Sequence, residues 1–210
     1  EDLLAQKGTY YELYETQFRT AIDYESGQGD DSLNIETLSS DFKVKRIDEA
    51  DISDVFNLSR SNNHYYHTIN EKPSRKRLTE VISELPDGAS DTQKHFVGFY
   101  DKDDLIAVLD LITGYPEKDD AFIGWFMVDA SRHRQGIGSQ LFADIRAAMK
   151  AQGYDHLSLK CNALSEEAIT FWENQGFKKD NNEDYVFVKK GTCFLYVNSE
   201  LITLNEGDAF

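Results

Sequence analysis

The stretch that organises this chain is AFIGWFMVDASRHRQGIGSQL, residues 121–141. An apolar run opens it and an amphipathic pattern follows its glycines, so the spacing predicts a strand, a glycine turn and a helix. A helix begins with backbone N–H groups that lack intrahelical partners and with the positive end of its dipole. Gly136 and Gly138 have no Cβ, so a phosphate can approach this turn closely, while Arg132 and Arg134 add positive charge at its rim.

The spacing of this turn separates the known kinds of phosphate-binding loop. No Lys-Ser/Thr pair follows the glycines, which excludes a P-loop. Leu141 stands where a dinucleotide-binding fingerprint would have its third glycine, which disfavours that motif. A helix that merely begins at a glycine turn remains an alternative.

The distance from Val128 to Gly136, with basic residues between them, is typical of another loop. It resembles motif A of the GNAT superfamily of acyl-CoA N-acyltransferases, whose pyrophosphate loop reads Gln/Arg-x-x-Gly-x-Gly/Ala. His133 stands at the Gln/Arg position, and an arginine lies on either side of it. The glycine spacing of the loop therefore matches the motif, although the basic residues lie one position before and one position after the motif's Gln/Arg position.

A second motif follows at the expected separation. Residues 162–177 contain Asn-x-x-Ser-x-x-Ala-x-x-Phe-Trp-Glu-x-x-Gly-Phe, which resembles motif B of the same superfamily. Trp172 replaces the tyrosine that usually donates a proton to the departing thiolate, and an indole cannot do so. The resemblance covers about residues 41–190. Residues 114–116, the Tyr65-Tyr66 pair and the Phe171-Trp172 pair further resemble a little-characterised bacterial branch.

The resemblance implies a set of site residues, with acetyl-CoA as co-substrate and no metal. The residues expected to contact acetyl-CoA are Met127, Val128, Arg134, Gln135, Gly136, Ile137, Gly138, Ser139, Asn162 and Trp172. The backbone of Val128 is expected to lie at the thioester oxygen, and Trp172 is expected to act as an apolar wall.

Other residues are candidates for the chemistry and for the acceptor pocket. Asp110, on the central strand, is the candidate general base, although a carboxylate satisfied by turn amides is an alternative. His64, Tyr65 and Tyr66 are assigned to the acceptor pocket, with ordinary loop packing as the alternative. His64 and His67 have a helical ligand spacing, but no nearby Cys or acidic third ligand supports a metal site.

Charge and cysteine usage limit the partners and the compartment. The chain has 38 acidic and 22 basic residues, a net charge of −16, which disfavours nucleic acid and favours either cationic small molecules or simple solubility. Two cysteines, Cys161 and Cys193, fit a reducing cytoplasm. No apolar run approaches the ~20 residues of a membrane span, and no signal peptide is expected.

The order of elements predicts an α/β fold with a central mixed sheet flanked by helices. We expect an N-terminal helical extension and acidic linker at 1–40, an acetyltransferase domain at 41–190 and a C-terminal hairpin at 191–210. Within residues 1–25 lies a segment that resembles the C-terminal tail of the nucleotide-binding subunit of an ABC exporter. A polar loop is expected over 61–67.

The leading hypothesis is an N-acetyltransferase that acts on a primary amine of a small molecule or peptide, by direct attack in a ternary complex. The alternative is a non-catalytic acyl-CoA-binding sensor or interaction module. The sequence leaves the oligomeric state open between a monomer and a homodimer.

Overall fold

The apolar and alternating segments of the sequence form one mixed β-sheet in the computed structural model of the protein. The structure describes residues 33–162 and 164–177, together with the backbone of three strands within 185–205. The predicted N-terminal helices, the segment that resembles an exporter tail and most of the predicted linker lie outside the described residues.

In the described part of the chain, eight strands follow one another across the sheet in chain order. Neighbouring strands are antiparallel except β4 and β5, which are parallel, so the predicted mixed sheet is confirmed. The last two strands pair as the C-terminal hairpin that the sequence predicts. The strands are β1 Lys43–Arg46, β2 Lys94–Asp101, β3 Asp104–Thr113, β4 Asp120–Val128, β5 His156–Lys160, β6 Tyr185–Lys189, β7 Thr192–Val197 and β8 Glu200–Asn205.

The helices begin largely where the capping residues predict. The side chain of Ser74 accepts a hydrogen bond from the Arg77 N–H, and Asp48 caps the turn that leads into the first helix. Over the described residues, the α-helices are α1 Ile52–Ser61, α2 Asn63–Thr68, α3 Arg75–Ser83, α4 Ile137–Ala151 and α5 Glu166–Asn174.

Helix α2 corrects the predicted polar loop over 61–67. A helix of six residues is too short to be stable alone, so its stability must come from packing. Tyr65 and Tyr66 supply that packing, because both rings lie against the apolar cluster beneath α1. The sequence shows the aromatic residues but not the surface against which they pack.

The two faces of the sheet carry separate apolar cores. On one face, α4 and α5 cover β3 and β4 with residues such as Leu141, Phe142 and Ile145. On the other face, α1 and α3 pack against β2 and β3 around Val55 and Val108. This two-sided covering is the layered arrangement expected of an α/β domain.

Part of the predicted N-terminal linker packs into the core. Leu33 and Leu38 are buried, and both belong to the cluster beneath α4. The Gln152 carboxamide accepts a hydrogen bond from the Asn34 N–H at 2.8 Å, which further ties this segment to α4. Residues 33–38 are therefore part of the folded domain, and the prediction that everything up to residue 40 is extension and linker is wrong for them.

Candidate active site

The glycine turn forms the beginning of helix α4, as the sequence predicts. Gly136 is the N-cap, with a φ of +82°, and no side chain caps the helix there. The first helical hydrogen bond runs from the Gln140 N–H to the Gly136 oxygen, so the N–H groups of residues 137–139 have no helical acceptor. Arg134, just before the cap, also has a positive φ, of 60°. The turn therefore presents a group of backbone donors at the positive end of a helix dipole.

The two glycines of the turn serve different purposes. A Cβ on Gly136 would meet nothing within 4 Å, so this position needs glycine for its left-handed backbone alone. A Cβ on Gly138 would lie 3.3 Å from Phe171 Cε2 and 3.6 Å from Val128 Cγ2. A side chain at Gly138 would therefore press against Phe171 of α5, so the close packing of α4 and α5 also favours glycine at this position.

The basic residues around the turn also differ in their partners. Arg134 lies 3.4 Å from Glu167 in α5 and is almost fully exposed. Arg132 instead forms an ion pair with Asp101, with 3.1 Å between Nη1 and Oδ2, at the tip of the β2–β3 hairpin. Of the two arginines assigned to the rim by the sequence, Arg132 is therefore engaged by another part of the fold.

Strand β4 changes its partners halfway along. Residues 121–123 pair with β3 on one side, and residues 120–123 pair with β5 on the other. The register then shifts at Gly124, which forms a bulge against β3, and among the described strands residues 125–128 pair with β3 alone. The β4 and β5 strands thus diverge and leave a gap, which we call the β4–β5 gap.

The backbone of Val128 faces the β4–β5 gap. The Asp129 N–H donates to the Ile106 oxygen at 2.8 Å, and bonded and non-bonded pairs alternate along an antiparallel ladder. Met127 is therefore hydrogen-bonded to β3, whereas Val128 directs its N–H and C=O away from β3. Of these two predicted neighbours of the acyl-CoA arm, only Val128 offers its backbone to the gap.

Two side chains fix the end of β4 by bonding to the Val128 carbonyl. The Asn62 carboxamide donates to this oxygen at 3.0 Å. His133 Nε2 lies 2.9 Å from the same oxygen and must carry the proton, because a carbonyl can only accept. Sequence reasoning missed Asn62, whose only signal was its place in the segment before the two tyrosines.

The acceptor-side candidates lie on α2. His64 Nε2 is 4.0 Å from Glu167, the same carboxylate that approaches Arg134, so α2 and the glycine turn meet at the start of α5. Tyr65 and Tyr66 are half-buried, with their ring centroids 5.4 Å apart. Burial, and then the neighbouring Tyr66, Cys161 and Glu71, raise the pKa of Tyr65 to about 12.

Asp110 forms a buried ion pair that the sequence did not predict. Lys94 Nζ lies 2.8 Å from both carboxylate oxygens, and both side chains are only 8% exposed. Lys94 also donates to the Glu84 carbonyl at the end of α3, at 2.7 Å. Burial raises the pKa of Asp110 to about 6, although Lys94 opposes this shift. The alternative of turn amides is not what the structure shows, because the main partner is an ammonium group.

The carboxylate of Asp110 lies over the bulge in β4. A Cβ on Gly124 would come within 2.6 Å of Asp110 Oδ2, although Gly124 itself is exposed. Phe96 and Trp125 are the cross-strand neighbours of Asp110, and their rings stack with centroids 5.9 Å apart. A buried carboxylate thus lies beside the exposed backbone where the β4–β5 gap begins.

Trp172 and Asn162 have mainly structural contacts. Trp172 is buried, and the rings of Phe126, Phe142, Phe171 and Phe177 surround it at centroid distances of 4.9 to 5.8 Å. The Asn162 carboxamide oxygen accepts from the Leu164 N–H at 2.9 Å, which holds the turn before α5.

Comparison with known families identifies the domain. The sequence model of the acetyltransferase (GNAT) family matches residues 55–177. The chain belongs to this acetyltransferase family. The match spans both motifs as well as α2 and most of α1.

Solved structures share the GNAT fold at low sequence identity. An acetyltransferase from Thermus thermophilus is 19% identical, with a TM-score of 0.59, and the match covers 70% of this chain and 94% of that one. The PaiA N-acetyltransferase of Thermoplasma acidophilum, in complex with coenzyme A, is 16% identical, with a TM-score of 0.54 and coverage of 71% and 98%. The ribosomal-protein-S18-alanine N-acetyltransferase of Escherichia coli is 16% identical, with a TM-score of 0.50 and coverage of 70% and 90%. A search of curated proteins found no match.

Two absences hold for the described residues of this GNAT chain alone. Within them, no helix combines the length and apolar character needed to cross a membrane. The same residues hold no group of three or more His, Cys, Asp or Glu side chains suited to a metal ion.

Proposed function

We propose that this GNAT protein transfers the acetyl group of acetyl-CoA to a primary amine of a small molecule or peptide, by direct attack in a ternary complex. One observation carries the proposal: the uncapped N-terminus of α4 lies next to the outward-facing backbone of Val128 at the β4–β5 gap. The first fits a pyrophosphate, and the second fits an extended arm that forms hydrogen bonds like a strand.

The glycine turn would hold the pyrophosphate of acetyl-CoA. We assign this role to residues 134–139, through backbone N–H groups and the Arg134 guanidinium. To do so, Arg134 has to break its ion pair with Glu167. The loss in free energy is small, because an exposed ion pair contributes only about 0 to 1 kcal/mol. Asn162 is assigned to the neighbourhood of the arm, and Trp172 to the wall behind Phe171, where its indole packs rather than reacts.

The Val128 N–H is assigned to the thioester oxygen. The Val128 carbonyl is already held by Asn62 and His133, and the Met127 backbone bonds to β3, so the chain is held on both sides of this N–H before any ligand binds. A donor fixed in advance stabilises the oxyanion that forms when the amine attacks, without reorganisation at that moment. Met127 is assigned only a packing role at the arm, because its backbone groups bond to β3.

Asp110 is assigned as the general base. An alkyl amine has a pKa of about 10.4 and must lose a proton before or as it attacks the thioester carbon. The pKa of Asp110, raised to about 6 mainly by burial, makes this carboxylate a usable proton acceptor near neutral pH. Lys94 holds the carboxylate over Gly124, at the beginning of the gap through which an acceptor would reach the acetyl group.

The acceptor pocket is assigned to α2. His64, Tyr65 and Tyr66 lie between the glycine turn and the core beneath α1. A net charge of −16 favours a cationic amine, because an opposite field raises the local concentration of such an acceptor. We place the protein in the cytoplasm, in line with its cysteine usage, and in a bacterium, in line with its resemblance to a bacterial branch. A homodimer remains a prediction.

The proposal is tested by measuring thiol release from acetyl-CoA with a panel of amines. The panel contains alkyl monoamines, polyamines, aminoglycosides and peptides with a free N-terminus. We expect acceptor-dependent thiol release that is fastest with polycationic amines and slows as salt is added. Tight binding of acetyl-CoA in calorimetry, with no thiol release from any amine, would instead support the acyl-CoA-binding sensor.

A further inference from the structure

The bulge in β4 turns two neighbouring residues toward the same side of the sheet. Side chains alternate along a regular strand, and Ile123 belongs to the cluster beneath α4. Gly124 and Trp125 both face the other side. A Cβ on Gly124 would meet Asp110 Oδ2 at 2.6 Å, and Trp125 packs against the cluster beneath α1. The bulge therefore places the indole of Trp125 on the same side of the sheet as the Asp110 carboxylate.

The indole of Trp125 is fixed by a neighbour and remains partly accessible. It stacks with Phe96, with 5.9 Å between the ring centroids and 25° between the ring planes. Phe96 is buried, so this contact fixes the orientation of the indole. Trp125 itself is only half-buried, and Gly124 beside it is exposed. A ring that is held in place and still reaches the surface can contact a ligand without losing much conformational freedom.

The proposed acceptor elements lie on this side of the sheet as well. Trp125 is the cross-strand neighbour of Asp110, the proposed base. Met127, two residues further along β4, belongs to the cluster against which Tyr65 and Tyr66 of α2 pack. The Trp125 ring thus shares one side of the sheet with both the proposed base and the proposed acceptor helix.

The buried ion pair leaves a role for an aromatic ring in attracting a cation. Lys94 Nζ lies 2.8 Å from the Asp110 carboxylate, so it neutralises much of the attraction that this carboxylate would have for a cationic acceptor. The face of an indole attracts a cation through its quadrupole, and tryptophan does so better than the other aromatic residues. Trp125 therefore supplies an attraction for a cation that Lys94 does not cancel by pairing.

We propose that Trp125 is a specificity-determining residue that binds a second ammonium group of the acceptor, which is therefore a diamine or polyamine. The proposal rests on the proposed acetyl transfer and adds the substrate class and the residue that selects it. The reacting nitrogen has to become neutral, whereas a second alkyl nitrogen, with a pKa of about 10.4, keeps its charge throughout. Because the contact is made equally before and during the reaction, it lowers the KM for the acceptor and leaves kcat unchanged.

The kinetic test follows thiol release from acetyl-CoA with putrescine, a four-carbon diamine, and with butylamine, which has the same carbon chain and a single amine. Wild type should have the lower KM for putrescine. Trp125→Leu should raise that KM about 3- to 30-fold, the range for loss of one cation–π contact, while kcat and the KM for acetyl-CoA stay near wild type. Trp125→Phe should raise it less, because a ring remains. The matched control is Phe122→Leu, which removes another half-buried ring of β4, one that contacts Tyr115.

A second measurement needs neither turnover nor a change at Trp125. The chain holds two tryptophans, so Trp172→Phe leaves Trp125 as the only one. With saturating coenzyme A, putrescine should change the fluorescence of this variant in a saturable manner, and butylamine should do so only at higher concentration. Trp125→Phe retains only Trp172, which is enclosed by aromatic rings, and its fluorescence should not respond.

The outcomes separate the role of Trp125 from the proposed function. If wild type releases no thiol with any amine, the proposed function fails, and the fluorescence of Trp125 then decides its role alone: a saturable response to putrescine supports it, and no response overturns it. If wild type is active and Trp125→Leu keeps the wild-type KM for putrescine, or Phe122→Leu raises it equally, the role of Trp125 is overturned while the proposed function stands. Equal rises for putrescine and butylamine would also overturn it, because loss of packing affects both amines alike.

Discussion

Two groups of residues at the candidate site are built in different ways. In the first, the backbone half, the glycine turn and Val128 present backbone N–H groups, whose positions follow from a helix start and from a strand register. The second, the side-chain half, consists of the Lys94–Asp110 pair, Asn62 and the tyrosines of α2. A site made of backbone groups is disturbed mainly by substitutions that change the backbone conformation. A site made of side chains is disturbed mainly by substitutions that remove those side chains.

The largest expected effect is the loss of activity when Asp110, in the side-chain half, is replaced. Asp110→Asn should lower kcat/KM by about 10²- to 10⁴-fold, the range for loss of a general base. In wild type, kcat/KM should fall about tenfold for each pH unit below about 6, because the protonated carboxyl of Asp110 cannot accept a proton. A pH–rate profile of both proteins measures this. The same acid limb in Asp110→Asn would assign the base to another group.

Breaking the buried ion pair should strongly destabilise the fold. Lys94→Met leaves the Asp110 carboxylate buried without its partner, and such a change typically costs about 3 to 5 kcal/mol in free energy of unfolding. The double variant Lys94→Met/Asp110→Leu should recover most of that loss, because neither charge remains. Urea unfolding at neutral pH measures both. A single variant as stable as wild type would show that water reaches the pair.

Within the backbone half, the two glycines of the turn are expected to differ in how much their replacement lowers stability. Gly136→Ala should lose about 1 to 2 kcal/mol of stability, because an L-residue is strained at a φ of +82° even though the space is open. Gly138→Ala should change stability by less than about 1 kcal/mol, since the gain in helix propensity offsets the 3.3 Å contact with Phe171. Thermal melts compare them, and the reverse order would contradict the assigned reasons.

The smallest effect on turnover is expected at Trp172. Trp172→Phe should keep most of the turnover and lose about 1 to 3 kcal/mol of stability, because it only removes volume from an aromatic cluster. Turnover and thermal stability are measured on the same preparations. A thousandfold loss of turnover in a folded variant that still binds acetyl-CoA would give Trp172 a direct chemical role.

The sequence by itself determined the features that are local in the chain. The strand, glycine turn and helix of residues 121–151 lie within one stretch, so apolar periodicity and two glycines suffice to predict them. The spacing of the two motifs likewise indicated the acetyltransferase family, which the family comparison confirms. The backbone half of the candidate site was predictable because helix starts and strands are set by neighbouring residues.

Only the tertiary structure decided which distant side chains meet. Lys94 of β2 pairs with Asp110 of the neighbouring strand β3. Asn62 bonds to Val128, 66 positions away, and Arg132 pairs with Asp101 rather than with the glycine turn. The packing of Leu33 and Leu38 and the helix at α2 arise in the same way. These contacts depend on sheet register and on helix packing, which place residues together irrespective of their separation in the chain, so no local pattern records them.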